Sequence, residues 1–246
     1  MLALATILFK IHLTMRIILF TLIFAPFQTF GQLIANETID ESKVNTWTPK
    51  LLMEYQGVYH FGESEDESDL LLIFSQDKIC GQIRSGSWSA DGKSWIWKYE
   101  NLKDVKIEGN KFTSEKSNGE FVSYNNGTEK IKGLKIFKPW SEMPEAGQYE
   151  IGLRKNSLSN FLSGKFTHAS TRILNKEELT KITKTELKLM RNEIFARYGL
   201  KFNSGGEMDE YFKKQDWYQA QYSNVDKFLT IIEKENIRLI KELEGK

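Results

Sequence analysis

The chain has little cysteine, proline and histidine, and it has no excess of charge of either sign. Among its 246 residues are one cysteine, four prolines and three histidines. A single cysteine, Cys80, excludes an intramolecular disulfide and a cysteine-rich zinc site. With 34 basic against 33 acidic residues, no net field attracts nucleic acid. We therefore expect a protein that relies on its own hydrophobic cores and has no nucleic-acid partner.

Motifs for catalysis or cofactor binding are also lacking. No Gly-x-Ser-x-Gly sequence marks a hydrolase nucleophile. His60 and His168 lie outside any recognisable catalytic arrangement. The acidic run 63–69 lacks the glycine and the spaced ligands of an EF-hand calcium loop, which favours a solvated loop. The sequence therefore predicts no catalytic residue, no metal and no cofactor.

The N-terminal region has the order of a secretory signal peptide. Met15 and Arg16 precede an apolar run at 17–25, and a segment ending in small residues reaches Gly31. We predict a signal peptide over 1–31, with a start at Met15 as an alternative. The other alternative is a retained anchor, which needs about 20 uninterrupted apolar residues. The pattern predicts an extracytoplasmic protein (periplasmic, surface or secreted) without a membrane span after cleavage.

Residues 51–141 have the pattern of short strands separated by turns. Apolar and β-branched runs recur there, and no helical pattern of useful length interrupts them. The intervening sequences suit tight hairpins: Asp91-Gly92, Glu108-Gly-Asn110, Asn118-Gly119 and Asn126-Gly127. We predict an antiparallel β meander that curls into a barrel or half-barrel. A linker at 32–50 precedes it, and residues 142–169 follow as a linker or a last strand.

Residues 170–246 change to a helical period. Capping-box patterns and a terminal glycine mark helix ends at Asn175–Glu178, Thr183–Glu186 and Gly199. Helices are predicted at about 184–198, 206–213 and 225–243. The predicted fold class is α+β: an antiparallel meander or barrel-like domain followed by a small all-α domain of about four helices.

Two of these helices carry a polar side chain on the apolar face. At about 100° per residue, Arg191 falls within the apolar arc of its helix while Glu193 faces away. Asn236 has a similar position on the last helix. Because a buried guanidinium needs a partner, we predict one buried hydrogen-bond network that contains Arg191 and Asn236. Glu178 and Asp216 are candidate further members. Alternatively, Arg191 lays its stem on the core and keeps its head in water.

The helical residues resemble a known module. The motifs are, in order, residues 172–179, residues 187–199, the aromatic pairs after Phe202, and Glu235-Asn236-Ile237. This order is similar to that of the YARHG domain, a small extracytoplasmic bacterial module. The family motif reads here Phe195-Ala196-Arg197-Tyr198-Gly199. Tyrosine stands in place of the family's histidine, which excludes an acid–base or metal role for that position. The resemblance implies export and residence in the envelope or at the surface, without a transferable ligand, so we expect any ligand site elsewhere.

The aromatic residues of the β half are the candidate ligand site. Trp95, Trp97 and Tyr99 share one face of a predicted strand, and Trp88 precedes them by a turn. An aromatic face of this kind either fills a core or stacks on sugar rings. Tryptophans that line an open cleft would indicate stacking on sugar rings, and tryptophans sealed inside would indicate core filling.

Three classes of function follow. The first is an exported binding or interaction module whose partner is a cell-wall polymer or an envelope protein. The second is an enzyme that acts on envelope polymer with carboxylates such as Glu63, Glu65 or Glu193. The third is a structural partner of another envelope protein.

Overall fold

A computed structural model describes residues 40–125, 127–137, 140 and 149–245, with the backbone alone at Asn156. The predicted signal peptide lies outside the described residues, as do residues 32–39 of the predicted linker and Asn126 of one predicted turn. In the part of the chain that is described, no helix combines the length and the apolar character needed to cross a membrane.

In the described residues of the N-terminal part, ten antiparallel strands form one open sheet. They are β1 (Val44–Thr46), β2 (Gly57–Phe61), β3 (Ser68–Ser75), β4 (Lys78–Trp88), β5 (Trp95–Leu102), β6 (Lys106–Glu108), β7 (Lys111–Thr113), β8 (Asn118–Asn125), β9 (Lys130–Ile136) and β10 (Glu150–Asn156). Their order is β5-β4-β3-β2-β10-β9-β8-β7-β6, and β1 pairs with β8. The predicted α+β class and meander are confirmed, and the sheet is open rather than closed into a barrel.

The two strands at the ends of this order, β5 and β6, are consecutive in the chain. Only residues 103–105 separate β5 from β6, and three residues span about 10 Å at most. The sheet therefore curls until its edges approach each other at that end, although no ladder joins them in the described residues. Strand β10, from the segment predicted as linker or last strand, lies between β2 and β9.

The predicted hairpin turns are right in part. Gly92 and Gly109 have φ of 69° and 60°, the left-handed conformation that tight turns require. Gly119 instead lies inside β8, so a turn at Asn118-Gly119 is wrong. A Cβ at Gly119 would lie 2.1 Å from the carbonyl oxygen of Lys135. The glycine therefore serves the close approach of β9 and not a change of direction.

Both faces of the sheet are buried over β3. Leu70, Leu72 and Phe74 belong to the core inside the curl, together with aromatic residues from the other strands. Leu71 and Ile73 alternate with them and face outwards, where they pack in a second cluster. A continuous apolar run is the sequence pattern of such a doubly covered strand. The outer face of β3, β4 and β5 is thus available to the helical region.

Six helices follow the sheet: α1 (Leu158–Phe161), α2 (His168–Thr171), α3 (Lys176–Leu179), α4 (Lys184–Arg197), α5 (Glu207–Phe212) and α6 (Ile231–Glu244). The capping box of Asn175 and Glu178 is confirmed, and Gly199 ends α4 with φ of 74°. The last helix begins at Ile231 rather than near 225, because Thr230 and Glu233 form a capping box there.

The helical region packs on the outer face of the sheet and protects its edge. Strand β5 is an edge strand, whose free backbone groups would otherwise be open to pairing. Gln221 satisfies two of them: its Oε1 accepts from Trp97 N at 3.1 Å, and its Nε2 donates to Trp95 O at 2.9 Å. Tyr222 donates its hydroxyl hydrogen to Trp97 O. Side chains thus replace a neighbouring strand along this edge.

Candidate ligand-binding site

A cavity of about 120 Å³ lies between the outer face of the sheet and the helical region. Strands β3, β4 and β5 form its floor, and the end of α4 contributes to its roof. One buried water occupies only about 10–15 Å³ of such space, so the cavity has room for a ring-sized group. The lining that matters for chemistry comprises Gln82, Arg84, Trp97, Arg197, Tyr198 and Glu233.

An aromatic row, defined here as Trp88, Trp95 and Trp97, extends from solvent to this cavity. Trp88 opposes Trp95 across the β4–β5 ladder, and their ring centroids are 5.5 Å apart. Trp97 follows on the same face, with its centroid 6.1 Å from that of Trp95. Trp88 is 52% exposed, and Trp95 and Trp97 are half-buried. The row is therefore an open surface rather than part of a sealed core.

Gly86 sets the position of the middle ring of the row. It lies opposite Trp97 in the ladder, on the same face as the row. A Cβ at this position would lie 2.1 Å from Nε1 of Trp95, with two further indole atoms within 2.5 Å. The indole of Trp95 thus occupies the space that a side chain at residue 86 would take, which lets it lie against the strand.

Arg84 is held flat between two aromatic rings. Its guanidinium carbon lies 4.4 Å from the ring centroid of Trp97 and 3.9 Å from that of Phe161. Its Nη2 donates to Oδ2 of Asp69 at 2.9 Å, and the other oxygen of Asp69 lies 2.9 Å from Nδ1 of His60. Stacking and pairing fix the orientation of Arg84 beside the cavity, and Asp69 balances its charge.

A second arginine, Arg197, is clamped by Glu193 one turn earlier on α4. Arg197 Nη2 donates to Glu193, and the two side chains are 6% and 2% exposed. Glu193 also accepts from the backbone N–H groups of Lys165 at 2.9 Å and Phe166 at 2.6 Å. A side chain at Gly164 would collide with this carboxylate, its Cβ lying 2.4 Å from Cδ. The clamp joins the loop before α2 to α4.

Arg197 completes its pairing at the cavity wall. Its Nε donates to the carbonyl oxygen of Ser163 at 2.7 Å and its Nη1 to Oγ of Ser170 at 2.8 Å. Burial lowers the pKa of Arg197 from its usual value, and the adjacent Glu193 opposes that effect. The guanidinium stays charged, because its ordinary pKa is far above neutrality. The carboxylate of Glu193, one turn earlier on α4, balances this charge.

A third buried group, Glu233, ties the last helix to the sheet through Tyr198. The Tyr198 hydroxyl lies 2.7 Å from Oε2 of Glu233 and 3.2 Å from Oε1 of Gln82. Gln82 in turn donates to the carbonyl oxygen of Phe228 at 2.7 Å. Burial raises the pKa of Glu233 above its usual value, more than its hydrogen bonds lower it. A carboxyl group with a raised pKa is a hydrogen-bond donor over a wider pH range.

The chemistry of the lining is aromatic and hydrogen-bonding, with balanced charge. Among the described residues, no group of three or more histidine, cysteine or acidic side chains is placed to hold a metal ion. Each lining guanidinium has its own carboxylate, Asp69 for Arg84 and Glu193 for Arg197. The arrangement can therefore stack on a ring and bind its polar substituents.

With this geometry established, comparison with known proteins identifies the helical region. Residues 163–245 match the model of the YARHG domain. The predicted recognition is confirmed for this region, and the N-terminal region matches no family model. No curated protein and no solved structure matches the chain.

The motif of the YARHG domain lies directly at the cavity. Ala196, Arg197, Tyr198 and Gly199 all line it, whereas Phe195 packs partly buried against the helical core. Of the predicted ligand residues, Trp97 and Tyr99 line the cavity, and Trp88 and Trp95 continue the row outside it. The structure thus joins two features that the sequence analysis kept apart, the motif and the aromatic strand.

Tyr99 contacts the YARHG domain most closely among the predicted ligand residues. Its hydroxyl donates to the carbonyl oxygen of Arg197 at 3.2 Å, and its ring packs edge-on against Tyr198 with centroids 4.7 Å apart. Burial raises the pKa of Tyr99 to about 12. Tyr99 therefore joins the sheet to the motif, and Trp97 is the tryptophan at the mouth of the cavity.

The predicted network around Arg191 and Asn236 divides into separate parts. Arg191 is half-buried and pairs with Glu244, Nε to Oε1 at 3.0 Å. Asn236 is fully buried and bonds only to backbone: it accepts from Leu174 N and donates to the carbonyl oxygens of Ala169 and Arg172, each at 2.8 Å. The two side chains share no partner, because different segments cover them.

The two candidate further members differ. Glu178 forms a bidentate pair with the guanidinium of Arg172, which lowers the pKa of Glu178 to about 2, and Asn236 bonds to the carbonyl oxygen of the same residue. Asp216 is exposed and takes no part in the hydrogen bonds of Asn236. The predicted network is therefore corrected: Arg191 pairs separately with Glu244, and Asn236 and Glu178 meet only at Arg172.

Two buried carboxylates do not follow from the sequence patterns, Glu193 and Glu233. The helical wheel puts Glu193 on the solvent side of its helix, yet it is 1% exposed. The helical wheel locates one apolar face, and α4 is covered on a second side by the loop before α2. Two local signals were present: an i, i+4 acid–base pair, Glu193 and Arg197, and the capping box from Thr230 to Glu233. Neither signal indicates burial.

Proposed function

We propose that this protein is an exported envelope protein that binds a cell-wall glycan on the aromatic row. The observation that carries this proposal is the exposure of the row: three indoles follow one another with neighbouring rings edge to face, open to solvent at Trp88 and continuous with a cavity at Trp97. Indole faces stack on the apolar faces of sugar rings, and the neighbouring amides and hydroxyls suit their polar substituents.

The contacts of the carboxylates favour binding over catalysis. Glu193 is occupied by two backbone N–H groups and Arg197, and it does not line the cavity. Glu65 accepts from Nε1 of Trp88 at 2.9 Å at the exposed end of the row. Glu63 precedes a short 3-10 helix between β2 and β3. None of these three forms a pair across the cavity, as the carboxylates of a glycosidase would.

The test is retention of the purified mature chain on cell walls stripped of protein. Wild-type protein is expected to bind saturably, and Trp88→Ala and Trp95→Ala are expected to weaken binding at least about threefold each, since each removes one stacking surface. Phe137→Ala is the matched control, because Phe137 is a 44% exposed aromatic residue away from the row. Absence of saturable retention, or an equal effect of all three variants, would refute the proposal. Retention only on untreated walls would indicate a protein partner instead.

We propose further that the chain is exported with cleavage after Gly31. The support is the order of charged, apolar and small residues up to that position, together with the resemblance of the helical region to an extracytoplasmic module. The test is the intact mass and N-terminal sequence of the protein from the extracytoplasmic fraction, which is expected to begin at Gln32. A full-length N-terminus in the membrane fraction would indicate the retained anchor.

A further inference from the structure

We propose that the cavity receives the terminal unit of an uncharged glycan, and that the glycan chain leaves along Trp95 and Trp88. This inference rests on the proposed function and deepens it: it specifies which part of the polymer is recognised and which charge it carries. Three observations support it, namely the direction in which the site closes, the charge balance of its walls and the chemistry of its lining.

The register of β4 and β5 gives the direction. The cross-strand pairs on the outer face run in the order Trp88–Trp95, Gly86–Trp97, Arg84–Tyr99 and Gln82–Asn101. Successive pairs are two residues apart, so the first and last lie about 20 Å apart along the strands. Exposure falls along this line, from 52% at Trp88 to 3% at Gln82. The face is open at the tryptophan end and covered at the glutamine end.

Direct contacts close the inner end. Gln82 donates to the carbonyl oxygen of Phe228, and Nδ2 of Asn101 donates to the same oxygen at 3.1 Å. Above them, Tyr198 joins Gln82 to Glu233, and all three side chains are nearly fully buried. A polymer that enters past Trp97 meets this wall within the cavity. A chain can therefore insert its end, whereas an internal unit has no exit on the inner side.

The charges of the walls favour an uncharged unit. Arg84 and Arg197, the guanidinium groups of the lining, are each paired with a carboxylate, so neither offers an unbalanced positive charge to an anion. Glu233 also lines the cavity, and in its ionised form it would repel an anion. A carboxylate or phosphate that enters the cavity would lose its hydration without gaining a free countercharge. A cation would likewise lose its hydration, and Asp69 and Glu193 are already paired with the two guanidinium groups.

The lining matches a polar ring with an apolar face. Trp97 lines the cavity with Arg84 over one face of its ring, and Leu71 and Ile73 offer aliphatic contacts from β3. Ser170 and Thr230 supply hydroxyls around them. The volume of about 120 Å³ has room for a ring-sized group. These features agree with one sugar unit inside and the rest of the chain on the aromatic row.

The first experiment tests end recognition on the purified, protein-free wall glycan. The glycan is sheared to several mean chain lengths, and the protein bound per unit mass is measured at saturation. Terminal recognition predicts that bound protein rises in proportion to the number of chain ends. Equal binding per unit mass at all lengths would overturn the proposal, because it is the behaviour of a site that accepts internal units.

The second experiment tests which charge the bound glycan carries. Wall fragments are separated by ion exchange into uncharged, anionic and cationic fractions, and affinities are measured by calorimetry. The uncharged fraction is expected to bind at least about tenfold more tightly than either charged fraction. Tighter binding of a charged fraction would overturn the charge argument.

A matched pair of variants locates the terminal unit. Ser163 is exposed and lines the cavity, and Ser163→Phe places a ring in its mouth while the backbone bond to Arg197 is kept. It is expected to weaken glycan binding at least about tenfold. Ser159→Phe, at an exposed position outside the lining, is expected to bind like wild type. Circular dichroism and thermal melting check that both variants fold.

The outcomes separate the two proposals. Retention that depends on Trp88 but is unaffected by Ser163→Phe would refute the terminal-unit inference and leave the aromatic row as the glycan site. Loss of retention altogether in wild type would refute the proposed function itself.

Discussion

Tyr198 and Glu233 share a hydrogen bond in which the single hydroxyl hydrogen faces two acceptors. Tyr198 Oη lies 2.7 Å from Oε2 of Glu233 and 3.2 Å from Oε1 of Gln82. One hydrogen cannot serve both oxygens at once. A proton on Glu233 completes the arrangement, because Glu233 then donates to Tyr198 while Tyr198 donates to Gln82. Burial raises the pKa of Glu233 by more than its hydrogen bonds lower it, among them the one that Thr230 N donates to Oε2 of Glu233 at 2.9 Å.

This pairing predicts a defined pH dependence of stability. Because the folded-state pKa of Glu233 is raised above its ordinary value of 4.5, its contribution is fully present below that value and is lost as pH rises through the folded-state pKa. Glu233→Gln lacks this titration, so the wild-type free energy of unfolding minus that of the variant should fall as pH rises above 4.5. Urea unfolding at a series of pH values measures it.

Glu235→Gln provides the control for Glu233→Gln. It removes one carboxylate from the same helix at a side chain that is 37% exposed. A difference curve for Glu233→Gln that is flat, or identical to that of Glu235→Gln, would show that Glu233 is not protonated preferentially in the folded state.

The clamp on Arg197 predicts a large loss of stability in Glu193→Ala. The substitution leaves a buried guanidinium and two backbone N–H groups without their acceptor. We expect the free energy of unfolding to fall by about 3–5 kcal/mol. Glu207→Ala, which removes the exposed partner of Lys188, should cost about 1 kcal/mol or less. Comparable losses in chemical denaturation would contradict the structural role of the clamp.

The separate surroundings of Arg191 and Asn236 predict additive effects. Arg191→Met keeps the aliphatic stem but leaves the carboxylate of Glu244, which is 20% exposed, without its partner, so it should cost about 1–3 kcal/mol. Asn236→Leu removes three bonds to buried backbone groups and should cost about 3 kcal/mol or more. The double variant should equal the sum within about 0.5 kcal/mol. A larger coupling energy would show that Arg191 and Asn236 belong to one network.

The contact between Gly86 and Trp95 predicts a change in binding with little change in fold. Gly86→Ala forces the indole of Trp95 away from the strand, since the new Cβ would lie 2.1 Å from it. We expect glycan binding to weaken at least about threefold, to the level of Trp95→Ala. Gly81→Ala on the same strand is the control, because its Cβ meets only side-chain atoms at 3.2 Å and beyond. Unchanged binding in Gly86→Ala would show that Trp95 is not part of the glycan site.

Local patterns were sufficient for most of the elements. Alternation and turn residues predicted the strands, and capping residues placed the starts of α3 and α4, since these signals act between near neighbours in sequence. The prediction was wrong where a residue served a distant contact. Asn118-Gly119 has the sequence of a turn, but Gly119 makes room for the backbone of β9. Glu193 was placed in solvent because a helical wheel does not show a loop that covers the second side.

Patterns between near neighbours in the chain were enough to establish the α+β class, the meander, the YARHG domain and the shared face of the tryptophans. The meeting of the motif and this face across one cavity follows instead from contacts between distant residues. Tyr198 and Gln82 are 116 residues apart in the chain, and Gln221 reaches Trp95 over 126. Such contacts depend on how a curled sheet presents its outer face to a helical domain. Periodicity reports only which side of an element is apolar, and not what that side will touch.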